Sequence, residues 1–235
     1  SPLIKKEVRE VIRVFYSFAR ISDDIADSEN LTSFKKLKIL KFFDKSISNS
    51  NKSNIDFLDK IINLNKKFPK SSNYSRELLK AFTLDATKKR YKNWADLISY
   101  CRYSANPVGR FFIYLTYKNN NHSFENEKKI FKSSDNLCTA LQIINHIQDC
   151  KDDYLKHNRV YIPLDYFQKY SLNVKVLKAD KAPIDFIFLK NDLISETERL
   201  LTHIEIGLNL IKDWRLRKET FIILNIAKRL CFLLK

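Results

Sequence analysis

Leu137–Asp153 reads LCTALQIINHIQDCKDD, and its spacing decides the fold. Asn145, Asp149 and Asp153 step by four residues, a drift of only about 40° per step on an ideal helix, so the three side chains form one oxygen-lined stripe. Gln142 lies one turn before Asn145. The neighbours Leu141, Ile144, Ile147 and Cys150 are largely apolar, which sets the helix in a core rather than in water. Carboxylates with buried neighbours need a partner, because an unpaired charge is costly to desolvate. The spacing predicts one long helix from about Glu125 to Asp153.

The helical period runs through most of the chain. Val8, Val11, Ile12, Phe15, Phe18 and Ala19 recur at three- and four-residue steps and predict a helix over about Leu3–Ser28. Further helices are predicted around Leu37–Phe43, Phe57–Leu64, Tyr74–Lys88 and Trp94–Tyr103, with a polar connection over Ser46–Asn54. Pro107 breaks the pattern, and a helix restarts there to about Tyr117, before a turn at Asn119–Asn121. Arg159–Pro163 is short and ends in proline, so it reads as a loop. Two last helices are predicted over Pro183–Trp214 and Leu216–Leu234. No repeat and no linker interrupts this pattern, so the expectation is one all-α domain over residues 1–235.

Composition narrows the function. The chain has 235 residues but only 2 Gly, so neither GxGxxG nor GxxxxGK followed by Ser or Thr can be written, and nucleotide-loop enzymes are excluded. No Met is present, so a trimmed start is expected. Lys and Arg number 43 against 27 Asp and Glu, a net charge of +16. Such an excess is either a solvated surface or an attraction for nucleic acid, anionic lipid or a polyanionic small molecule. Cys101, Cys138, Cys150 and Cys231 are widely spaced without a CxxC, which suits a reduced, cytoplasmic protein. The apolar tail Phe221–Leu234 is interrupted by Asn225, Lys228 and Arg229 and is too short to span a bilayer.

A second acidic cluster, Asp23-Asp24-Ile25-Ala26-Asp27, changes the weight of the first. Asp23 and Asp27 share a helix face and Asp24 can join them. Alone this reads more readily as an acidic helix end on a solvated face. Two such helices face to face would instead hold several hard cations, since oxygen-only ligands favour Mg²⁺. Mg²⁺ keeps few protein ligands and shares its shell with phosphate oxygens, so a diphosphate substrate follows from the chemistry. Metals that draw off diphosphate would generate a carbocation.

Four segments carry a specific likeness: Phe15–Asp27 (FYSFARISDDIAD), Asp85–Trp94 (DATKKRYKNW), Tyr100–Arg110 (YCRYSANPVGR) and Leu137–Pro163 (LCTALQIINHIQDCKDDYLKHNRVYIP). In order and spacing the chain resembles the squalene/phytoene synthase family of head-to-head isoprenoid synthases, and most of all the hydroxysqualene synthase branch of bacterial hopanoid biosynthesis. The resemblance implies an isoprenoid-synthase-type helical bundle around a central cavity. It implies that Asp23, Asp24 and Asp27 form the first metal motif and Asn145, Asp149 and Asp153 the second. Gln142, Tyr16 and Arg20 match positions on the diphosphate side. Arg20 is also placed to pair with phosphate by its spacing to Asp23 and Asp24, although a plain i,i+4 ion pair with Asp24 is the competing reading. Tyr100, Ala105, Val108 and Gly109 match the mid-chain motif, where small residues would let a helix bend and a prenyl tail pass. Tyr161 matches a cavity residue, and Arg159 is expected to close a loop over the diphosphate. Asn106 stands where relatives carry a small residue, which bears on cavity shape. Ser1 falls at the spacing of a polar segment that relatives carry ahead of the first long helix.

Other candidates are weaker. His146 reads as structural despite its place in the second motif, and Phe15, Phe18, Phe111 and Phe112 read as core more readily than as cavity walls. The implied activity is Mg²⁺-dependent conversion of presqualene diphosphate to hydroxysqualene. Its rivals are condensation of two farnesyl diphosphates or of the longer C20 analogue, giving presqualene diphosphate, squalene or phytoene. A basic helical protein that binds nucleic acid, or a silent assembly partner, is the non-enzymatic rival. No nucleic acid is expected as partner. Peripheral contact with the inner membrane face and with other enzymes of the hopanoid/squalene route is.

Overall fold

A computed structural model of the protein describes residues 6–120, 122–123 and 125–235. Ser1, the predicted helix start at Leu3, and Asn121 fall outside them. Among the described residues the fold is all-α, with one isolated bridge and no strand. Helix α1 spans Lys6–Asp27, α2 Ser33–Asn49, α3 Asp56–Lys67, α4 Lys70–Asp85, α5 Trp94–Ser104 and α6 Asn106–Asn119. Then come α7 over Glu127–Gln148, α8 over Cys150–His157, α9 over Leu164–Lys169, α10 over Ile184–Leu200, α11 over Glu205–Leu208 and α12 over Trp214–Leu234.

Two hydrophobic cores meet at α6. Phe111, Tyr114 and Leu115 join the core built by α1–α4, whereas Ile113 and Tyr117 join the core of α5, α7, α10 and α12. Residues 111 and 115 lie one turn apart, and 113 and 117 occupy the opposite side, so one helix serves both cores. Phe15 stacks on Phe111 with ring centroids 3.9 Å apart, and Phe18 is fully buried. These three aromatics are core, as expected of aromatics at helical spacing.

Boundaries follow local chemistry where the sequence reading erred. The Ser/Asn-rich stretch does not end α2 at Ser46. Ile47 packs into the core, the helix continues to Asn49, and Ser50 caps it in the left-handed region at φ 54°. The predicted long helix breaks for one residue at Asp149. Backbone bonds persist on both sides, from the Asp149 N–H to the Asn145 carbonyl and from Asp153 to Asp149, each 2.8 Å, so the break is a kink rather than an end. The predicted Pro183–Trp214 helix stops at Leu200. His203 takes φ 60°, α11 is a single turn, and the Asp213 carboxylate accepts from the Leu216 N–H at 2.8 Å to start α12. Gly207 of α11 allows that detour: a Cβ there would overlap the Ser133 hydroxyl and come within 2.6 Å of the Lys129 carbonyl oxygen on α7. Helix α9 and a 3-10 turn over Val174–Lys178 were not anticipated.

The Arg159–Pro163 segment is a loop, pinned beside residues 89–92. Val160 N–H reaches the Lys89 carbonyl at 3.0 Å and Leu164 N–H the Tyr91 carbonyl at 2.8 Å. This pairing fixes Arg159 and Tyr161 below the ends of α1 and α4.

Candidate active site

Asp23, Asp24 and Asp27 occupy the last turns of α1, an uninterrupted helix. Arg20 lies 3.1 Å from Asp24 and 3.6 Å from Asp23, so the i,i+4 ion pair is formed, on an open face. Asp24 is exposed and Asp23 and Asp27 are half-buried. Tyr16 is exposed one turn before Arg20. On the second motif, Asn145 and Asp149 are exposed and Asp153 is half-buried. Of the apolar neighbours, Ile144 and Ile147 are buried and Leu141 and Cys150 partly so, but the oxygen stripe itself lies largely open, which corrects its reading as a buried stripe. Gln142 pairs with His146, nitrogen to nitrogen at 3.2 Å.

Arg159 joins the two motifs. It is buried and pairs with Asp27, reaches the Ala26 carbonyl at 3.5 Å, and donates to the Tyr161 hydroxyl at 3.3 Å. His157 Nε2 stands 3.8 Å from Asp27. Lys36 Nζ donates to the Ala26 carbonyl at 2.8 Å, a cation at the negative end of α1.

Asp85 is the residue that the sequence reading quoted within a motif but left out of the site. It ends α4, is buried, and accepts hydrogen bonds from Tyr161 at 2.7 Å and Tyr100 at 2.9 Å. Tyr161 stacks on His146 with centroids 3.6 Å apart, and Tyr91 and Tyr100 pack around it. The signal available was a lone acid in the apolar run LLKAFTLDA, which needs a buried partner. Its partners lie 15 and 76 residues away, beyond any local pattern.

These groups lie close enough to feel one another's charge. Burial, then Asp27 and Asp85, push the Asp23 carboxyl up to about 6, while Arg20 and Arg159 oppose. Burial, then Asp149, push Asp153 up to about 7, with Asp27 and Asp85 adding. Burial raises Asp85 to about 6 against the pull of Arg159 and both tyrosines. Burial holds His146 down to about 3, so its ring is neutral. Burial works against the charge of Arg159, yet Tyr161, Asp85 and Asp27 hold it firmly protonated.

Carboxylates crowded this way favour an added cation. Among the described residues no three Asp, Glu, His or Cys side chains converge closely enough to hold a metal ion by themselves. An oxygen-only donor set split between two helices fits Mg²⁺, which takes one or two carboxylates and completes its shell with phosphate and water.

An apolar cavity of about 600 Å³ lies between α1, α6, α7 and α12, and none of these aspartates lines it. Ile12, Val108, Gly109, Phe112, Leu137 and Leu141 line it. Ile12 and Asp23 share a face of α1 about 17 Å apart, so one helix side runs from the apolar wall to the acids. Phe112 is the one of the four aromatics that forms wall. The bend expected near Ala105 is found: Ala105 is buried at the hinge between α5 and α6. Gly109 lets α6 cross α7, since a Cβ would come within 2.6 Å of the Cys138 sulfur. Asn106 does not face this cavity; its side chain accepts from Thr139 at 2.9 Å across α6 and α7.

A family model for squalene/phytoene synthase matches residues 1–232. Hydroxysqualene synthase of Sinorhizobium fredii is 34% identical over 235 residues, 100% of this chain and 77% of that protein. Its counterpart in Zymomonas mobilis is 34% identical over 232 residues, 98% and 75% of the two chains. The phytoene synthase of Mycobacterium tuberculosis is 24% identical over 174 residues, covering 74% of this chain and 55% of that one. The fold is that of the crystal structure of squalene synthase HpnC from Alicyclobacillus acidocaldarius, with a TM-score of 0.82 at 21% identity over 99% of this chain and 85% of that chain. The fold, the paired acidic motifs and the match along residues 1–232 agree: the chain belongs to the squalene/phytoene synthase family.

Proposed function

We propose that the protein is a Mg²⁺-dependent isoprenoid synthase that converts presqualene diphosphate to hydroxysqualene and releases diphosphate. The observation that carries the chemistry is that Asp23, Asp85 and Asp153, from three separate helices, have carboxyls held above their ordinary range by burial and by the charge of nearby carboxylates, Asp27 among them. The choice of branch rests on the two hydroxysqualene synthases, each similar over nearly the whole chain.

Asp23, Asp24 and Asp27 on one side, and Asn145, Asp149 and Asp153 on the other, would hold the metal ions. Bound Mg²⁺ supplies charge neutralisation for the departing diphosphate. Arg20 on the open face would offer its guanidinium fork to a diphosphate placed there, while Arg159, buried below and paired with Asp27, holds the end of α1 in place. The carbon–oxygen bond breaks with its electron pair leaving on diphosphate. The carbocation rearranges, takes water, and loses a proton to give the alcohol. Tyr100 and Tyr161 keep their hydroxyl protons directed at Asp85, which fixes that buried carboxyl beneath the acidic motifs. The cavity walls exclude bulk water from the cation.

Incubation with presqualene diphosphate and, separately, with farnesyl diphosphate, each with Mg²⁺, tests this reading by product. Hydroxysqualene from the first substrate is the expected result. Squalene, phytoene or presqualene diphosphate would assign a neighbouring reaction of the family. Consumption of neither diphosphate ends the enzymatic reading.

A further inference from the structure

Helix α12 has two faces of different character. Leu216, Glu219, Thr220 and Ile223 wall the cavity, and Leu224, Ala227 and Cys231 sit in the core. On the other side, Trp214, Ile222, Ile226, Phe232 and Leu233 are each half or more exposed. Cations are interleaved with them at helical spacing. Arg215 and Lys218 lie over the Trp214 ring, 5.3 and 5.0 Å from its centroid, and Arg229 lies 4.9 Å from that of Phe232. The only acid of α12, Glu219, points to the cavity side, while Glu198 and Glu205 pair with Lys235 and Lys228 at the flank. Apolar and aromatic groups set among cations, without an acid on the same face, match the interfacial region of a bilayer.

We propose that the outer face of α12 docks this protein on the surface of an anionic lipid bilayer. Its cations meet the headgroups while Trp214, Ile222, Ile226, Phe232 and Leu233 enter the acyl boundary. Other occupants fit less well. A second copy meeting this face would set the Lys218 and Arg229 rows against their own equivalents. A nucleic acid would satisfy the cations and leave Ile222, Ile226 and Leu233 against water. No described helix is long and apolar enough to cross a membrane, so the contact lies in the interface plane. Because the inner face of α12 walls the cavity, the bilayer would lie about 10 Å, one helix width, from the space that takes the apolar chain.

The test uses the full-length natural protein with vesicles of phosphatidylcholine alone and of equal parts phosphatidylcholine and phosphatidylglycerol. No substrate is needed, so failure here leaves the catalytic reading standing on its own assay. The chain has 2 Trp, and Trp94→Phe leaves Trp214 as the reporter. Its emission is expected to shift to the blue with the anionic vesicles and not with phosphatidylcholine. Flotation is expected to fall about tenfold in Lys218→Glu/Arg229→Glu and less than about twofold in Lys35→Glu/Lys38→Glu on α2, which changes net charge equally. No emission shift, an equal loss in the α2 pair, or a dimer that Ile222→Ser dissociates would overturn the proposal. The emission shift needs no substitution on α12, so the test stands even where the double variant fails to fold.

Discussion

Asp23, Asp24 and Asp27 ride one uninterrupted helix, whereas Asn145, Asp149 and Asp153 straddle the kink between α7 and α8. The first group carries its own counter-charge, with Arg20 three and four residues before it on the open face. The second has Lys156 at helical spacing, but that lysine pairs with Asp152 at 2.7 Å. The cation that opposes the rise of Asp153 is Arg159, which arrives from the following loop and is already paired with Asp27. Burial is the largest cause for both, pushing Asp153 up to about 7 and Asp23 up to about 6. Similar carboxylate patterns therefore behave differently: one is balanced locally, and the other depends on a contact made only in the folded chain.

Removing the shared arginine should break this comparison most severely. Arg159→Ala leaves Asp27 and the buried Asp85 without their cation, and such a loss costs about 3–5 kcal/mol. Urea unfolding should show it, with Asp85→Asn in the same chain recovering part of the loss.

Asp149→Asn is the sharper test of function. The residue is exposed at the kink, so unfolding should be unchanged, while kcat/KM for presqualene diphosphate should fall roughly 10²- to 10³-fold. Activity equal to the wild type would count against a metal role for the second stripe.

Asp153 gives a pH signature. A carboxyl raised from 3.8 to about 7 keeps its proton in the folded chain where the unfolded chain has lost it. It therefore opposes folding increasingly as pH rises from about 4 to 7, and fully above that. Asp153→Asn should flatten this decline and raise the stability of the metal-free protein at pH 8 by roughly 1–2 kcal/mol, allowing for solvent around a half-exposed group. In the wild type, Mg²⁺ with diphosphate should raise Tm more at pH 8 than at pH 5, and the Asn variant should lose most of that difference.

Arg20→Gln should have the smallest effect on stability, within about 0.5 kcal/mol, since its ion pairs are exposed. A rise in KM for the diphosphate at unchanged Tm would show that the side chain leaves Asp24 to meet phosphate. An unchanged KM would leave it as a surface pair.

How much of this could be read beforehand depends on distance along the chain. The acidic stripes were legible because Asp23 and Asp27, or Asn145, Asp149 and Asp153, are set by a four-residue period that any helix expresses. The helical fold was legible for the same reason. The kink at Asp149 was not, because the i to i−4 bonds continue across it and no Pro or Gly marks it. The end of α10 was missed because Gly207, at the close approach of α11 to α7, acts through a neighbour on another helix. Asp85 was passed over because its partners Tyr100 and Tyr161 come from α5 and from the pinned loop.

The sequence by itself determined an all-helical chain with two oxygen-bearing faces, since periodicity is a local property and each helix displays its own stripe. Only the tertiary structure decided which charges would meet. Arg159 binds Asp27, 132 residues away, because Val160 is held beside Lys89. That pairing depends on packing between separate elements, where the low polarity of a buried site turns a few ångströms into the difference between a solvated acid and one poised for a cation.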